Sequence, residues 1–312
     1  MHSRWYNITV VVLWLSTMSW LILTKVVPVF LVGEPPRETA ILAAQRDDPA
    51  VAWRMRMDGV RLGWAVCRTV PMEGGLTEVR NCVHFDRLPI KEFVPKLLQS
   101  TFPDLSSFDT KVGMEARNLV VFDPMGRLSR FESAVGFARS EAIVKLKGTI
   151  DSGQLALWIA CGGNRPLETT IPVPRGVMLQ DAISPQSRLP GLREGQSWAV
   201  ETYSPFRSPD QPFELLRATV ESRMPRSIDG EIHDMWLVVL RPDAGSVGQN
   251  ADAPRGKLWV RADGVVWQQE MAILGHTIEF YRTSEERAAE LAKKAGLDET
   301  FFGNLQIMPR DF

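Results

Sequence analysis

The chain has 312 residues with 36 basic and 37 acidic side chains, a formal net charge of −1, and 45% hydrophobic residues. Near-neutrality excludes nucleic-acid binding driven by bulk charge, and the apolar content excludes an intrinsically disordered chain. Three cysteines are too few for a disulfide-dense miniature fold and leave one thiol over if two pair.

Tyr6–Thr24 is a run of nineteen residues without a formal charge, rich in Val, Leu, Ile and Trp. As a helix it spans roughly 28 Å, close to the ~30 Å of a bilayer's hydrocarbon core. The pattern predicts residues 1–32 as an uncleaved N-terminal transmembrane anchor, with Pro28 breaking its apolar extension. A cleaved signal peptide is the competing reading; the run is long for an h-region, and no Ala-x-Ala site follows closely. Arg4 on the near side, against mixed charges at Lys25, Glu34, Arg37 and Glu38 beyond, favours a cytoplasmic N-terminus. The expected location is the bacterial inner membrane, single-pass, with the C-terminal domain in the periplasm. Residues 33–49, with Pro35-Pro36, read as a tether.

Residues 50–283 read as one antiparallel β domain. Trp53–Met57, Asp58-Gly59 and Val60–Val66 alternate across the strongest short hairpin signal. A two-residue turn there pairs Met57 with Val60, Met55 with Leu62 and Trp53 with Trp64. A second turn centred on Gly74-Gly75 pairs Trp64 with Phe85, Val66 with Val83 and Val70 with Val79. Both turns then put Trp53, Met55, Leu62, Trp64, Val66 and Phe85 on one apolar face, a candidate ligand-binding surface. The same register sets Cys67 opposite Cys82, a candidate disulfide, with two reduced thiols as the alternative.

Further strands read at Arg117–Phe122, Arg127–Phe131, Glu141–Gly148, Gln154–Ala160, Ser197–Tyr203, Phe213–Glu221 and Met235–Leu240. Lys257–Ala262 and Val265–Met271 flank another Asp-Gly, and Thr277–Arg282 follows. Pro242–Gly256 reads as a loop. Helical signals are Ile90–Ser100, a short turn in Gly176–Ile183, and Ser284–Ala295, which Thr283-Ser-Glu-Glu286 caps and Gly296 closes. Residues 284–312 form the C-terminal helix and tail. The fold class is mainly β: a large antiparallel meander curling into an unclosed half-barrel, with few covering helices.

No hydrolase motif, C-x-x-C or Gly-rich phosphate loop is present. His84 with Asp86, and Glu231 with His233, share strand faces at i,i+2, but neither pair shows a third ligand, so no metal is assigned. Cys161 has no neighbour in sequence to lower its pKa. No catalytic residue and no cofactor are expected. Seven tryptophans lie beyond the anchor: Trp53, Trp64, Trp158, Trp198, Trp236, Trp259 and Trp267. They either line a concavity for an apolar ligand or fill the core beneath a wide sheet.

Trp53…Gly59-Val-Arg-Leu-Gly63-Trp64, the Asn118–Phe131 hairpin, Leu189–Gly195 and Leu258–Trp267 together resemble bacterial envelope proteins with a lipoprotein-localisation-factor-like half-barrel. A similar β module precedes transglutaminase-like domains. The resemblance covers about residues 50–290 and implies an unclosed barrel with a hydrophobic concavity. The chain departs from the carriers by its uncleaved anchor and by lacking a cysteine near the segment's end for lipidation. It has no Cys/His/Asp transglutaminase core, so enzymatic activity does not carry over. The function expected is a membrane-anchored, non-enzymatic module cupping a lipid-like or apolar ligand. The alternative is an adaptor subunit of an envelope complex that uses the sheet edge and the anchor for protein partners.

Overall fold

The computed structural model describes residues 2–21, 36, 38–46, 48–88, 112–137, 143–161, 165–172, 184–203, 213–228, 230–242, 253–273, 275–297 and 301. The expected helices at Ile90–Ser100 and Gly176–Ile183, and most of the Pro242–Gly256 loop, lie outside these residues.

Fourteen strands form one antiparallel sheet among the described residues, and it is not closed into a barrel. In chain order they are β1 Val51–Met57, β2 Val60–Pro71, β3 Thr77–Leu88, β4 Val112–Phe122, β5 Leu128–Phe137, β6 Ile143–Asp151 and β7 Gln154–Cys161. There follow β8 Leu167–Pro172, β9 Ser197–Tyr203, β10 Phe213–Ile228, β11 Glu231–Pro242, β12 Gly256–Arg261, β13 Val266–Ile273 and β14 His276–Arg282. The spatial order runs from β8 down to β1, then β14 down to β9. Two meanders therefore meet where β1 pairs with β14, for example Met55 with Phe280. The edges are β8 and β9.

Three α-helices are described: α1 His2–Leu21, α2 Glu38–Arg46 and α3 Glu285–Ala295. No described helix is long and apolar enough to cross a membrane. Helix α1 is described as far as Leu21, and the apolar Ile22 and Leu23 that follow lie outside the described residues. Helix α2 occupies much of the segment expected to be a tether. The cap of α3 is Ser284, one residue later than the expected box: its hydroxyl accepts from Arg287 N, while the Thr283 hydroxyl bonds Ala52 O. Gly296, left-handed at φ 63°, closes the helix.

The Asp58-Gly59 turn forms as expected, with φ 49° and 81° and Met57 opposite Val60. Beyond it the register slips. Arg56 faces Arg61 but Met55 faces Gly63, so Leu62 is an extra residue on β2 and Trp53 faces Ala65, not Trp64. Such a bulge reverses the facing of everything beyond it. Gly63 is required at this point: a Cβ there would lie 1.9 Å from His84 O.

The second turn also differs by one. Pro71 pairs with Thr77, so the connection is Met72–Leu76, closed by Met72 N donating to Leu76 O. An odd-length loop replaces the expected even one, and Val66 faces Cys82 while Cys67 faces Asn81. Cys67 and Cys82 therefore point to opposite faces and both are free. The disulfide expectation is overturned, because one residue of register decides the face.

The inner face carries the main core. It joins Val51, Trp53, Met55, Leu62, Val83 and Phe85 to Trp198, Val220, Trp236, Val238, Val260 and Phe280. The outer face of β1–β3 holds a second core, in which Ala52, Trp64, Val66 and Cys82 pack under Ala288, Leu291, Ala295, Leu297 and Phe301. Two arginines pin the chain leaving α3: Arg80 donates to Leu297 O at 2.8 Å and Arg117 to Phe301 O at 2.6 Å. Each is itself held by a carboxylate two residues away on its own strand, Glu78 and Glu115.

Candidate functional site

The six candidate ligand residues do not form one surface. Trp53, Met55, Leu62 and Phe85 belong to the inner core, Trp64 and Val66 to the core beneath α3, and all six are buried. The expectation of a shared face fails at the Leu62 bulge. The tryptophans divide likewise. Trp198 and Trp236 join Trp53 inside, whereas Trp259 forms a separate cluster with Ile228 and Met235. Trp53 Nε1 is buried without a hydrogen-bond partner among the described residues.

The inner face of the C-terminal limb, β9–β14, is filled by the chain itself. Segment 184–196 runs along it as a strap. Val266 N donates to Ser187 O, Leu189 N to Gly264 O, and Val220 N to Gln196 O. Gln186 N donates to Gln269 Oε1 at 2.9 Å, and Arg282 donates to Ser187 O at 3.2 Å. Leu189 enters the core beneath.

The outer part of the N-terminal limb, β4–β8, is different. Register carries one inward-facing set across it, from Val120 to Phe131 to Gly148 to Leu157, and from Asn118 to Ser133 to Leu146 to Ile159. Val120, Phe122, Phe131, Val135, Val144, Leu146, Ile150 and Ile159 on this face are only half-buried. The opposite face of the same strands is charged, with Lys147 reaching Glu132 at 2.8 Å. The Phe131 ring lies over Gly148, where a Cβ would come within 2.2 Å of it, so the glycine makes room for the aromatic.

A short polar row crosses this apolar face. Asn81 on β3 faces Asn118 on β4, which faces Ser133 on β5. Ser133 Oγ donates to Asn118 Oδ1 at 2.5 Å. Asn81 is 7% exposed, and its Oδ1 has no hydrogen-bond partner among the described residues. A few polar groups set in an apolar wall is the usual composition of a small-molecule site. Sequence reading missed this face, although the alternation at Val144-Lys-Leu-Lys-Gly148 and Arg117–Phe122 marks it.

Burial pushes the Cys67 and Cys82 thiols up to about 12, which keeps both protonated and unreactive. The Cys161 side chain lies outside the described residues. His84 stacks on Trp64 with ring centroids 5.2 Å apart and lies 3.4 Å from Glu115 and 3.6 Å from Asp86. A hydrogen bond from His84, followed by the Arg117 guanidinium, holds the Glu115 carboxyl below its ordinary range against the opposing effect of burial. His233 lies 3.6 Å from Glu231. Among the described residues no group of three His, Cys, Asp or Glu is placed to hold a metal ion.

No protein-family model matches the chain, and no curated protein does. Among solved structures it is similar to a beta-barrel-like protein of the domain of unknown function DUF1849 from Brucella abortus. That match has 10% identity and a TM-score of 0.46, and covers 75% of this chain and 95% of that one. It is also similar to a DUF1089 family protein from Pseudomonas aeruginosa, at 14% identity and a TM-score of 0.31, covering 70% of this chain and 89% of that one. A third is the hypothetical lipoprotein YmcC from Escherichia coli, at 12% identity and a TM-score of 0.27, covering 78% of this chain and 94% of that one.

Proposed function

We propose that the chain is a non-enzymatic module of the bacterial envelope that holds a lipid-like or apolar ligand on the inner face of β4–β8. The observation that carries this reading is the half-buried apolar face from Val120 to Ile159, crossed by the Asn81–Asn118–Ser133 row. The apolar wall suits an acyl chain, and the amide of Asn81 suits a hydrogen-bonding group on it. In this reading the anchor is the uncharged run Tyr6–Thr24, of which helix α1 is the described part, with the sheet on the periplasmic side. Its residues Val10–Leu15 are apolar on every side of the helix and exposed, Leu13 at 69%.

Native mass spectrometry of the full chain, extracted in mild detergent, tests the reading. A retained lipid-sized mass is expected, and Leu146→Glu should lose it while keeping the fold. A wild-type chain that carries and takes up no apolar molecule would sink the proposal. The adaptor alternative draws on β8, a sheet edge with Leu167 61% exposed, as a site for a partner's strand. A stoichiometric protein in the same spectra, in place of a lipid, would favour it.

A further inference from the structure

The inner face of β4–β8, with Asn81 beside it on β3, carries no charged side chain among the described residues. Alternation sends Arg117, Glu132, Lys145, Lys147 and Glu168 to the opposite face, and the inward positions between them are apolar or neutral. Arg46 and Arg282 stand at its margins. Arg46 touches it through the Thr77 hydroxyl, Nε donating at 3.0 Å, four residues and roughly 13 Å along β3 from Asn81. Arg282 faces inward on β14, three strands from β3, and donates to Ser187 O at 3.2 Å. A charged head group drawn onto this wall would lose its water and gain no counter-ion.

The polar row on the wall is selective in what it offers. Asn81, Asn118 and Ser133 are successive register partners, so their Cα atoms step across three adjacent strands at about 4.5–5.5 Å each. Ser133 Oγ donates its one proton to Asn118 Oδ1 at 2.5 Å, which leaves the hydroxyl oxygen able only to accept. Asn118 thereby orients that hydroxyl. Asn81 Oδ1 is a second acceptor, buried and without a donor among the described residues. An unmet carbonyl in an apolar wall destabilises the fold, and a leucine would fill the position without that penalty. A ligand that brings a donor removes the penalty.

We propose, on the reading of this face as an apolar-ligand site, that its ligand is an uncharged amphiphile with a hydroxyl at its polar end. The hydroxyl donates to Asn81 Oδ1 and Ser133 Oγ, and the chain lies along Phe131, Val144, Leu146 and Ile159. A monoacylglycerol or a long-chain alcohol has this chemistry. A fatty-acid anion has a charge without a counter-ion here and no proton to give. An ether or ester without a hydroxyl sets acceptors against acceptors.

The test is a competition on the full chain in an uncharged detergent. Monomyristoylglycerol, its di-O-methyl ether and myristate, kept ionised at alkaline pH, are supplied together in equal amounts. Native mass spectrometry reads which of them is retained. The monoacylglycerol should be retained about tenfold over the ether, the effect of one or two hydrogen bonds, and myristate should be retained least. Asn81→Leu should hold both glycerol lipids and lose the preference between them, which separates a lost hydrogen bond from a lost fold. Ser133→Ala, at a half-buried position, should narrow the preference in part. Equal retention of the monoacylglycerol and its ether, retention of myristate above either, or a preference unchanged in Asn81→Leu would each overturn the proposal and leave an apolar-ligand site standing. Retention of none of the three would sink that site and the proposal with it.

Discussion

The two limbs of the sheet are built by the same alternation and end in different states. On the C-terminal limb the inward residues Ala218, Val220, Val238, Val260, Val266 and Phe280 are all 0% exposed. On β4–β8 the corresponding inward residues Val120, Phe131, Val144 and Leu146 remain half-buried. The strap 184–196 is tied to the first face by the side chains of Gln269 and Arg282, and by backbone bonds to Val266 and Val220. Among the described residues nothing comparable is bonded across β5–β7. Alternation decides which face is apolar; a crossing segment decides whether it is covered.

The largest expected effect comes from the junction that both limbs share. Gly63→Ala would drive a Cβ to 1.9 Å from His84 O and force β2 from β3. The loss should be at least about 3 kcal/mol in chemical denaturation, and both limbs should loosen together in hydrogen exchange. Protection that survived in either limb would show that the two do not depend on the β1–β3 centre.

Next in size is a matched pair of truncations. Phe280→Ala, in the closed limb, should cost about 3–5 kcal/mol, and Phe131→Ala, on the half-open face, less than about 2 kcal/mol. Equal losses would mean that the β4–β8 face is as well covered as the other, and the contrast would be gone. Leu189→Ala sharpens the contrast from the other side. It should cost about 2–3 kcal/mol and make the closed limb resemble the open one, with anilinonaphthalene sulfonate fluorescence rising above wild type. An unchanged signal would show that the strap is not what seals the core.

The smallest effect is at the base of the open limb, where α2 begins against the β4–β5 turn. Burial, then the Asp123 carboxylate, pushes the Glu38 carboxyl up to about 7. A raised carboxyl favours the protonated folded state, so its penalty is absent below about pH 4.5 and complete above about pH 7. Glu38→Gln should therefore stabilise the chain at pH 8 by no more than about 1 kcal/mol, since Glu38 is partly exposed and solvent screens the interaction. It should change little at pH 4. Denaturation midpoints at the two values check this, and a gain at pH 4 alone would contradict the assignment.

Most of the strand architecture was legible in the sequence. Asp58-Gly59, Asp151-Ser-Gly153 and Asp263-Gly264 marked hairpins that form, because positive φ at these positions is strongly selective for residue type. A further Asp-Gly, at Asp229-Gly230, was passed over, although Ile228 pairs with Glu231 across it. Strand β8 was missed as well: Leu167–Pro172 is short and ends in proline. The candidate site was much less legible. Its placement needed the register of β1–β3, and two shifts of one residue, at Leu62 and in the Met72–Leu76 loop, moved Trp64 and Val66 to the outer face. A bulge carries no marker as specific as a turn's glycine, and Gly63 shows its purpose only once His84 O is seen against it.

The sequence alone determined that the chain is mainly antiparallel β, where most of its hairpins turn, and where its capped C-terminal helix lies. These follow from local physics: φ preferences, side-chain alternation and end-capping act within a few residues. Tertiary structure decided which face each residue occupies, that β1 pairs with β14, that the strap fills one limb and not the other, and that Cys67 and Cys82 face apart. Each of these depends on contacts between residues far apart in the chain, where one inserted residue reverses a face and no local preference registers the change.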